Sequence, residues 1–201
     1  MSVNKDEIKF PLFHSYLKRF VDLTDNEWLA LEEQLRVRKL PKKQHLIRQG
    51  EQAKEIFFLI SGSARLYYEK DGDEKTTYFF FENNLVGDYL GCLTSQPSTI
   101  NIQALEDCEL MYFKYETLTK LYEQFPVYQI FGRKLAEYLF MGLDIRLAEL
   151  LTLTPEERYL KFINTSIKRK ILERIPQQYI ASYLGITPVS LSRIRRRIAT
   201  S

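Results

Sequence analysis

From Lys42 to Lys114 the chain runs in short apolar stretches separated by turn residues. His45–Arg48, Glu55–Ser61, Ala64–Glu69, Thr76–Phe81, Ile100–Leu105 and Leu110–Phe113 are rich in β-branched and aromatic residues, which suit a pleated, half-buried surface. Gly50, Gly62, Asp71-Gly72, Asn83-Asn84 and Gly87 punctuate them, and these residue types turn a chain at low steric cost. Several short strands joined this way bury their apolar faces only against a second sheet, so the segment reads as a small antiparallel sandwich or jelly roll.

Both flanks have a helical period. Thr24 stands three residues before Glu27, the spacing of a capping box, and Trp28, Leu31 and Leu35 follow at helical intervals. A helical region is expected over 8–40, stopped at Leu40-Pro41 because the residue before a proline disfavours helix. Beyond Tyr115 the pattern is helical again, with one long helix from about Pro126 to Leu151. It carries two stripes: Phe131, Leu135, Tyr138, Gly142 and Ile145, and then Leu139, Leu143, Leu147 and Leu150. Either one stripe covers the roll and the other meets a partner helix, or both form a single wide face buried within one subunit. Thr154-Pro155-Glu156-Glu157 opens a further helix with a cap, a proline at the first position and a glutamate at the third. The expected fold is α+β, with parts 1–124 (β-roll effector domain), 125–152 (long helix) and 153–201 (helical C-terminal domain).

Composition narrows the function classes. A hydrophobic share of 45% supports real cores. No run reaches the roughly 20 apolar residues of a membrane helix, and Met-Ser-Val-Asn-Lys-Asp-Glu at the start has no apolar signal segment. A cytoplasmic protein without membrane contact is expected. Cys92 and Cys108 form neither a metal-ligand pattern nor a disulfide framework and are expected as buried thiols. His14 and His45 lie far apart, in no metal-binding or catalytic cluster. A cupin-like metalloenzyme, the enzyme alternative for a jelly roll, needs two or three histidines with a glutamate on adjacent strands. One histidine in the β region excludes the usual set.

The last quarter carries the functional signal. Gln177 to Leu184 is a short amphipathic helix with Ile180, Ala181 and Leu184 inward. Gly185 ends it, since the sharp turn needs positive φ, and Ile186 plugs the turn. Thr187 is a good N-cap and Pro188 suits the first helical position. Leu191, Ile194 and Ile198 face the core, leaving Val189, Ser192, Arg193 and Arg196 outward. This is the layout of a helix-turn-helix, although an ordinary helical hairpin with a solvated basic face has the same local pattern. Charge separates the two. From Arg158 to Ser201 ten basic residues face one acidic residue, a net +9, so the rest of the chain carries −6 beneath an overall +3. An acidic body with a basic tail suggests a nucleic-acid partner for the tail.

In this order the parts resemble the Crp/Fnr family of bacterial transcription regulators. Gln49-Gly50-Glu51, Phe57-Phe58-Leu59-Ile60-Ser61-Gly62, Val86-Gly87-Asp88 and the whole of 175–198 carry the likeness, which covers nearly the entire chain. The resemblance implies a cyclic-nucleotide-binding-domain-like roll with flanking helices, a long dimerisation helix and a C-terminal winged helix-turn-helix. It also implies a homodimer on double-stranded DNA, reading a two-fold symmetric operator, with RNA polymerase as a further partner. Arg193 matches the family arginine that reads a guanine, and Pro188 and Val189 replace an Arg-Glu pair. Val189 suits contact with a thymine methyl. Gln177, Gln178, Thr187 and Ser190 are expected at the DNA, the last three as phosphate contacts, with Ser192 and Arg196 on the same face. Arg195, Arg196 and Arg197 bind phosphates or solvate the helix end, where they also favour its dipole.

The effector site departs from the family. Asp88 is one methylene shorter than the family glutamate that meets the ribose. Ser98 stands where the phosphate-binding arginine belongs, and Leu143-Asp144 replace an adenine-contacting Thr-Ser pair. No Lys or Arg lies between Lys75 and Lys114, so cyclic AMP is not the expected ligand. Iron–sulfur members place cysteines near the N-terminus and haem members need an axial ligand, and neither is present; no such cofactor is expected. A different small effector would use Gly87, Asp88, Ser98, Thr99, Leu143 and Asp144, or the pocket is empty. The remaining functional alternative is a ligand-binding or scaffolding module that acts through protein contacts.

Overall fold

A computed structural model describes residues 10–165 and 168–199. Two helices, α1 (Phe10–Leu17) and α2 (Asp25–Glu32), precede eight strands. The strands are β1 (Arg36–Leu40), β2 (His45–Ile47), β3 (Glu55–Ser61), β4 (Ala64–Lys70), β5 (Asp73–Phe80), β6 (Asn84–Val86), β7 (Asn101–Ala104) and β8 (Cys108–Lys114). A short helix, α3 (Tyr89–Thr94), interrupts them. The strands form two four-stranded sheets, β1-β8-β3-β6 and β2-β7-β4-β5. This is the sandwich that the alternating runs require.

Strand alternation explains the two cores. Phe57 and Leu59 of β3 point into the space between the sheets, where Leu40, Ile47, Ala64, Phe80, Val86, Ile102, Ala104 and Leu110 join them. Ile56 and Phe58 point the other way, onto Met111 and Phe113 and the helices outside. Phe13, Tyr16 and Leu17 of α1 and Leu31 of α2 complete that second core. So do Leu118 and Leu121 of α4 (Tyr115–Gln124) and Tyr128, Phe131 and Leu135 of α5 (Pro126–Thr152). With both faces covered, β3 is apolar from Ile56 to Ile60. Thr24 forms the expected capping box with Glu27, and Tyr128 fixes α5 by donating to the Glu27 carbonyl at 2.8 Å.

Three elements depart from the sequence reading. The helical region expected over 8–40 divides: residues 8 and 9 lie outside the described residues, α2 ends at Glu32, and Arg36–Leu40 is β1. Its partner is β8, from Arg36 opposite Tyr112 to Leu40 opposite Cys108, a long-range pairing that local periodicity does not register. Asn83 makes the turn expected of Asn83-Asn84, with φ of 63°, but Asn84 already belongs to β6, paired with β3. The expected wing has no strand among the described residues beyond Lys114. Helices α6 (Pro155–Ile163), α7 (Lys168–Arg174), α8 (Gln177–Leu184) and α9 (Pro188–Ala199) follow α5 instead.

The chain forms two compact units, Met1–Leu66 with Phe79–Tyr138, and Tyr67–Tyr78 with Leu139–Ser201. The long helix belongs to both units, and the tip of the β4–β5 hairpin groups with the C-terminal helices. In α5 burial stops at Leu135. Phe140, Met141, Leu143, Ile145, Leu147, Leu150 and Leu151 are all exposed, so both stripes, not one, face solvent along the second half of the helix.

Candidate nucleic-acid interface

The helix-turn-helix is built by α8, a tight turn and α9. Gly185 adopts φ of 69° and caps α8 in the left-handed conformation. The turn closes with Ile186 N–H donating to the Ala181 carbonyl and Gly185 N–H to that of Ser182, both at 3.0 Å, the paired bonds of a Schellman motif. The last two carbonyls are met by arginines. The Arg146 guanidinium donates to the Tyr183 carbonyl and lies 3.9 Å over the Tyr183 ring. Arg158 Nε donates to the Leu184 carbonyl at 3.0 Å. All four carbonyls that a helix end leaves open are therefore satisfied. At the start of α9, Thr187 Oγ1 accepts from Ser190 N–H at 3.2 Å and lies 3.0 Å from Ser190 Oγ. Pro188 is the first helical residue.

Helices α8 and α9 pack together, and Ile180, Ala181 and Leu184 of the one and Leu191 and Ile194 of the other are buried. Val189, Ser192, Arg193 and Arg196 are exposed and recur at helical spacing on the opposite side of α9. Gln177 and Gln178 are exposed at the start of α8. The basic residues of the tail divide by role. Arg158 caps α8, Lys161 pairs with Glu149 at 3.0 Å, and Arg197 pairs with Glu156 at 2.5 Å. Arg193 stays exposed. Arg195 donates from Nη1 to Gln177 Oε1 at 2.6 Å. Sequence reading passed over Ser182, which accepts from Thr76 N–H at 2.9 Å and donates to the Glu74 carbonyl at 3.0 Å. Its hydroxyl thus meets two backbone groups on β5, the last strand of its sheet. No local pattern announces a contact between residues so far apart in sequence.

The residues expected at an effector site are largely committed to the backbone. Asp88, 7% exposed, caps α3 and accepts from Gly91 N–H at 2.9 Å. Ser98, 3% exposed, donates to the Ile100 carbonyl at 3.0 Å and accepts from Ile100 N–H at 3.2 Å. Gly87 is half-buried, and a Cβ added there would come 3.4 Å from the Glu55 carbonyl oxygen; Thr99 is exposed. Leu143 and Asp144 are exposed and belong to the second unit, whereas Gly87, Asp88, Ser98 and Thr99 belong to the first. Among the described residues of the first unit, Arg65 of β4 is a fully buried cation, donating to Gln103 Oε1 from Nε at 3.2 Å and from Nη2 at 2.9 Å. Its neighbours Ala64 and Leu66 belong to the core between the sheets, so alternation points Arg65 to the other face of its sheet.

The profile of the cyclic nucleotide-binding domain matches residues 37–125, the span of the two sheets and α4. The transcriptional activator protein Anr of Pseudomonas aeruginosa is 28% identical, over 88% of this chain and 76% of its own length. The fumarate and nitrate reduction regulatory protein of Escherichia coli is 28% identical, over 83% and 70%. Residues 37–125 thus match a cyclic nucleotide-binding domain, and over most of its length the chain is similar to these two regulators. A solved structure from Eubacterium rectale, described as a transcriptional regulator of the Crp/Fnr family, shares the fold with a TM-score of 0.69 at 17% identity, covering 89% of this chain and 85% of its own. These Crp/Fnr relatives are transcription regulators, not enzymes.

In this chain both cysteines are buried. Burial first, then the nearby Asp88 and Glu55 carboxylates, push the Cys92 thiol up to about 11, so it stays protonated at neutral pH. Cys108 donates to the carbonyls of Ser63 and Glu106. Among the described residues no three His, Cys, Asp or Glu side chains cluster as a metal site, and no helix is long and apolar enough to cross a membrane.

Proposed function

We propose that the chain is a homodimeric, sequence-specific DNA-binding transcription regulator whose roll does not take cyclic AMP. The outward face of α9 carries this reading: Val189, Ser192, Arg193 and Arg196 are exposed together on a helix that Leu191 and Ile194 anchor from behind. In this reading Arg193 reads a guanine through its O6 and N7, and Val189 packs on a thymine methyl. Pro188 offers no donor. Thr187, Ser190 and Gln178 are the phosphate contacts of this reading, which position the helix. The apolar second half of α5 supports a two-fold dimer, which places two recognition helices on successive major-groove turns. RNA polymerase is the partner through which such a regulator acts, in the cytoplasm.

Asp88 and Ser98 already bond to local backbone, and no Lys or Arg lies between Lys75 and Lys114. A cyclic nucleotide there would have to displace an N-cap and would find no cation for its phosphate in that segment. Any effector of this roll is therefore a smaller or less charged molecule than cyclic AMP.

Selection of bound duplexes from a random DNA pool, with and without a cell metabolite extract, tests the reading. Enrichment of one two-fold symmetric sequence supports it, and a pool that stays random refutes it. On the selected site Arg193→Ala should lose about 1–3 kcal/mol per half-site and relax the base preference at one position. Unchanged discrimination in a competition binding assay would remove Arg193 from the base-reading role.

A further inference from the structure

The two arginines on the flanks of the outward face of α9 are held in different ways. Arg197 Nη2 meets the Glu156 carboxylate, so its charge faces an opposite one. Arg195 meets the side-chain amide oxygen of Gln177 at 2.6 Å, and among the described residues it has no carboxylate within ion-pair distance. An amide oxygen carries no net charge. The bond to Gln177 restrains the guanidinium without neutralising it, whereas an ion pair does both. A cation that keeps its full charge and has already lost rotamer freedom is well prepared for a phosphate. The attraction is intact, and less conformational entropy remains to be lost on binding.

Position points the same way. Gln177 is the first residue of α8, and its side chain reaches across to α9. Arg195 therefore sits at the junction of the two helices, beside the base-reading face rather than on it. When a recognition helix lies in the major groove, its flanks face the phosphates on the groove walls.

We propose that Arg195 is a phosphate anchor of the DNA interface and that Gln177 is the positioning residue that holds it. The assignment rests on the DNA-binding reading above. It gives Gln177 an indirect role in place of the direct DNA contact expected from the sequence.

The test is the salt dependence of binding to a mixed-sequence DNA duplex, because phosphate contacts carry no sequence information. Arg195→Ala lowers the slope of log affinity against log salt by about 0.9 for each protomer on the DNA, the counterions of one phosphate. Arg195→Lys keeps the wild-type slope. Gln177→Ala also keeps the slope, since the charge remains, but weakens binding by about 2- to 10-fold per protomer through the lost restraint. Gln177→Glu places a carboxylate beside the guanidinium and reproduces the lower slope of Arg195→Ala. Both positions are exposed, so thermal unfolding of the variants matches the wild type. An Arg195→Ala slope equal to that of the wild type overturns the anchor, and wild-type affinity in Gln177→Ala overturns the positioning role. Failure of the wild type to retain any duplex at low salt has a different meaning: it removes the regulator reading itself, and this assignment with it.

Discussion

Arg158 donates from Nη1 to the Leu153 carbonyl at 2.5 Å and from Nε to the Leu184 carbonyl. It thereby joins the residue just past α5 to the last residue of α8. Arg158→Ala withdraws both donors from carbonyls at helix ends and should lower stability by about 1–3 kcal/mol. Thermal unfolding reads the loss, and a melting temperature equal to that of the wild type would show the two bonds to be without weight. Arg158→Lys should recover only part, because an ammonium cannot span two acceptors as a planar fork does. Arg193 is the same residue type in the same basic tail, and its outward direction was legible. Helical spacing alone sets it opposite Leu191 and Ile194. The contacts of Arg158, Arg195 and Arg197 were not legible, because their partners lie on other helices and no local rule links Arg158 to Leu184 or Arg195 to Gln177.

At the scale of elements, the features that local chemistry controls could be read directly. Thr154 and Glu157 form the expected capping box, and Gly185 takes the positive φ expected of it. Strand β1 could not be read, because its register is set by β8 at the far end of the roll. Helix α5 lies between these cases: its period was plain, but where its burial would stop was not. The exposed half of α5 yields a prediction. Leu143 is 72% exposed and Leu147 55% exposed, one turn apart on the second stripe. If that stripe is the dimer seam, burying each leucine contributes about 1.5–3 kcal/mol, and glutamates in their place would repel their own copies. Leu143→Glu combined with Leu147→Glu should sediment at the 23.9 kDa of one chain and bind a two-fold operator far more weakly, each half-site then being bound alone. A double variant that keeps twice that mass would move the seam to the other stripe.

For the whole molecule, the sequence conveyed a division of charge and a family resemblance, while the structure shows how each part is committed. The +9 tail is less free than its count suggests, since Arg158, Lys161 and Arg197 hold helices together. The cassette around Asp88 keeps its order in the chain but has turned inward, capping α3. These commitments bear on what the roll can sense. A ligand that binds only the folded state raises stability by RT ln(1 + [L]/Kd), about 2.7 kcal/mol at a hundredfold excess over Kd. For a chain of this size that corresponds to a rise of roughly 5 °C or more in melting temperature. Cyclic AMP at millimolar concentration would produce such a rise if its Kd were about ten micromolar. The expected outcome is no shift, because binding would have to strip Asp88 from Gly91 N–H and Ser98 from Ile100 and would still meet no arginine where the phosphate belongs. Asp88→Ala then separates two meanings of that carboxylate. As a cap its loss lowers the melting temperature by an amount matching about 1 kcal/mol, the same with and without nucleotide. As a ribose ligand its loss would abolish a nucleotide-dependent shift that the wild type displays. A clear rise in wild-type melting temperature with cyclic AMP, absent in Asp88→Ala, would restore the nucleotide as effector.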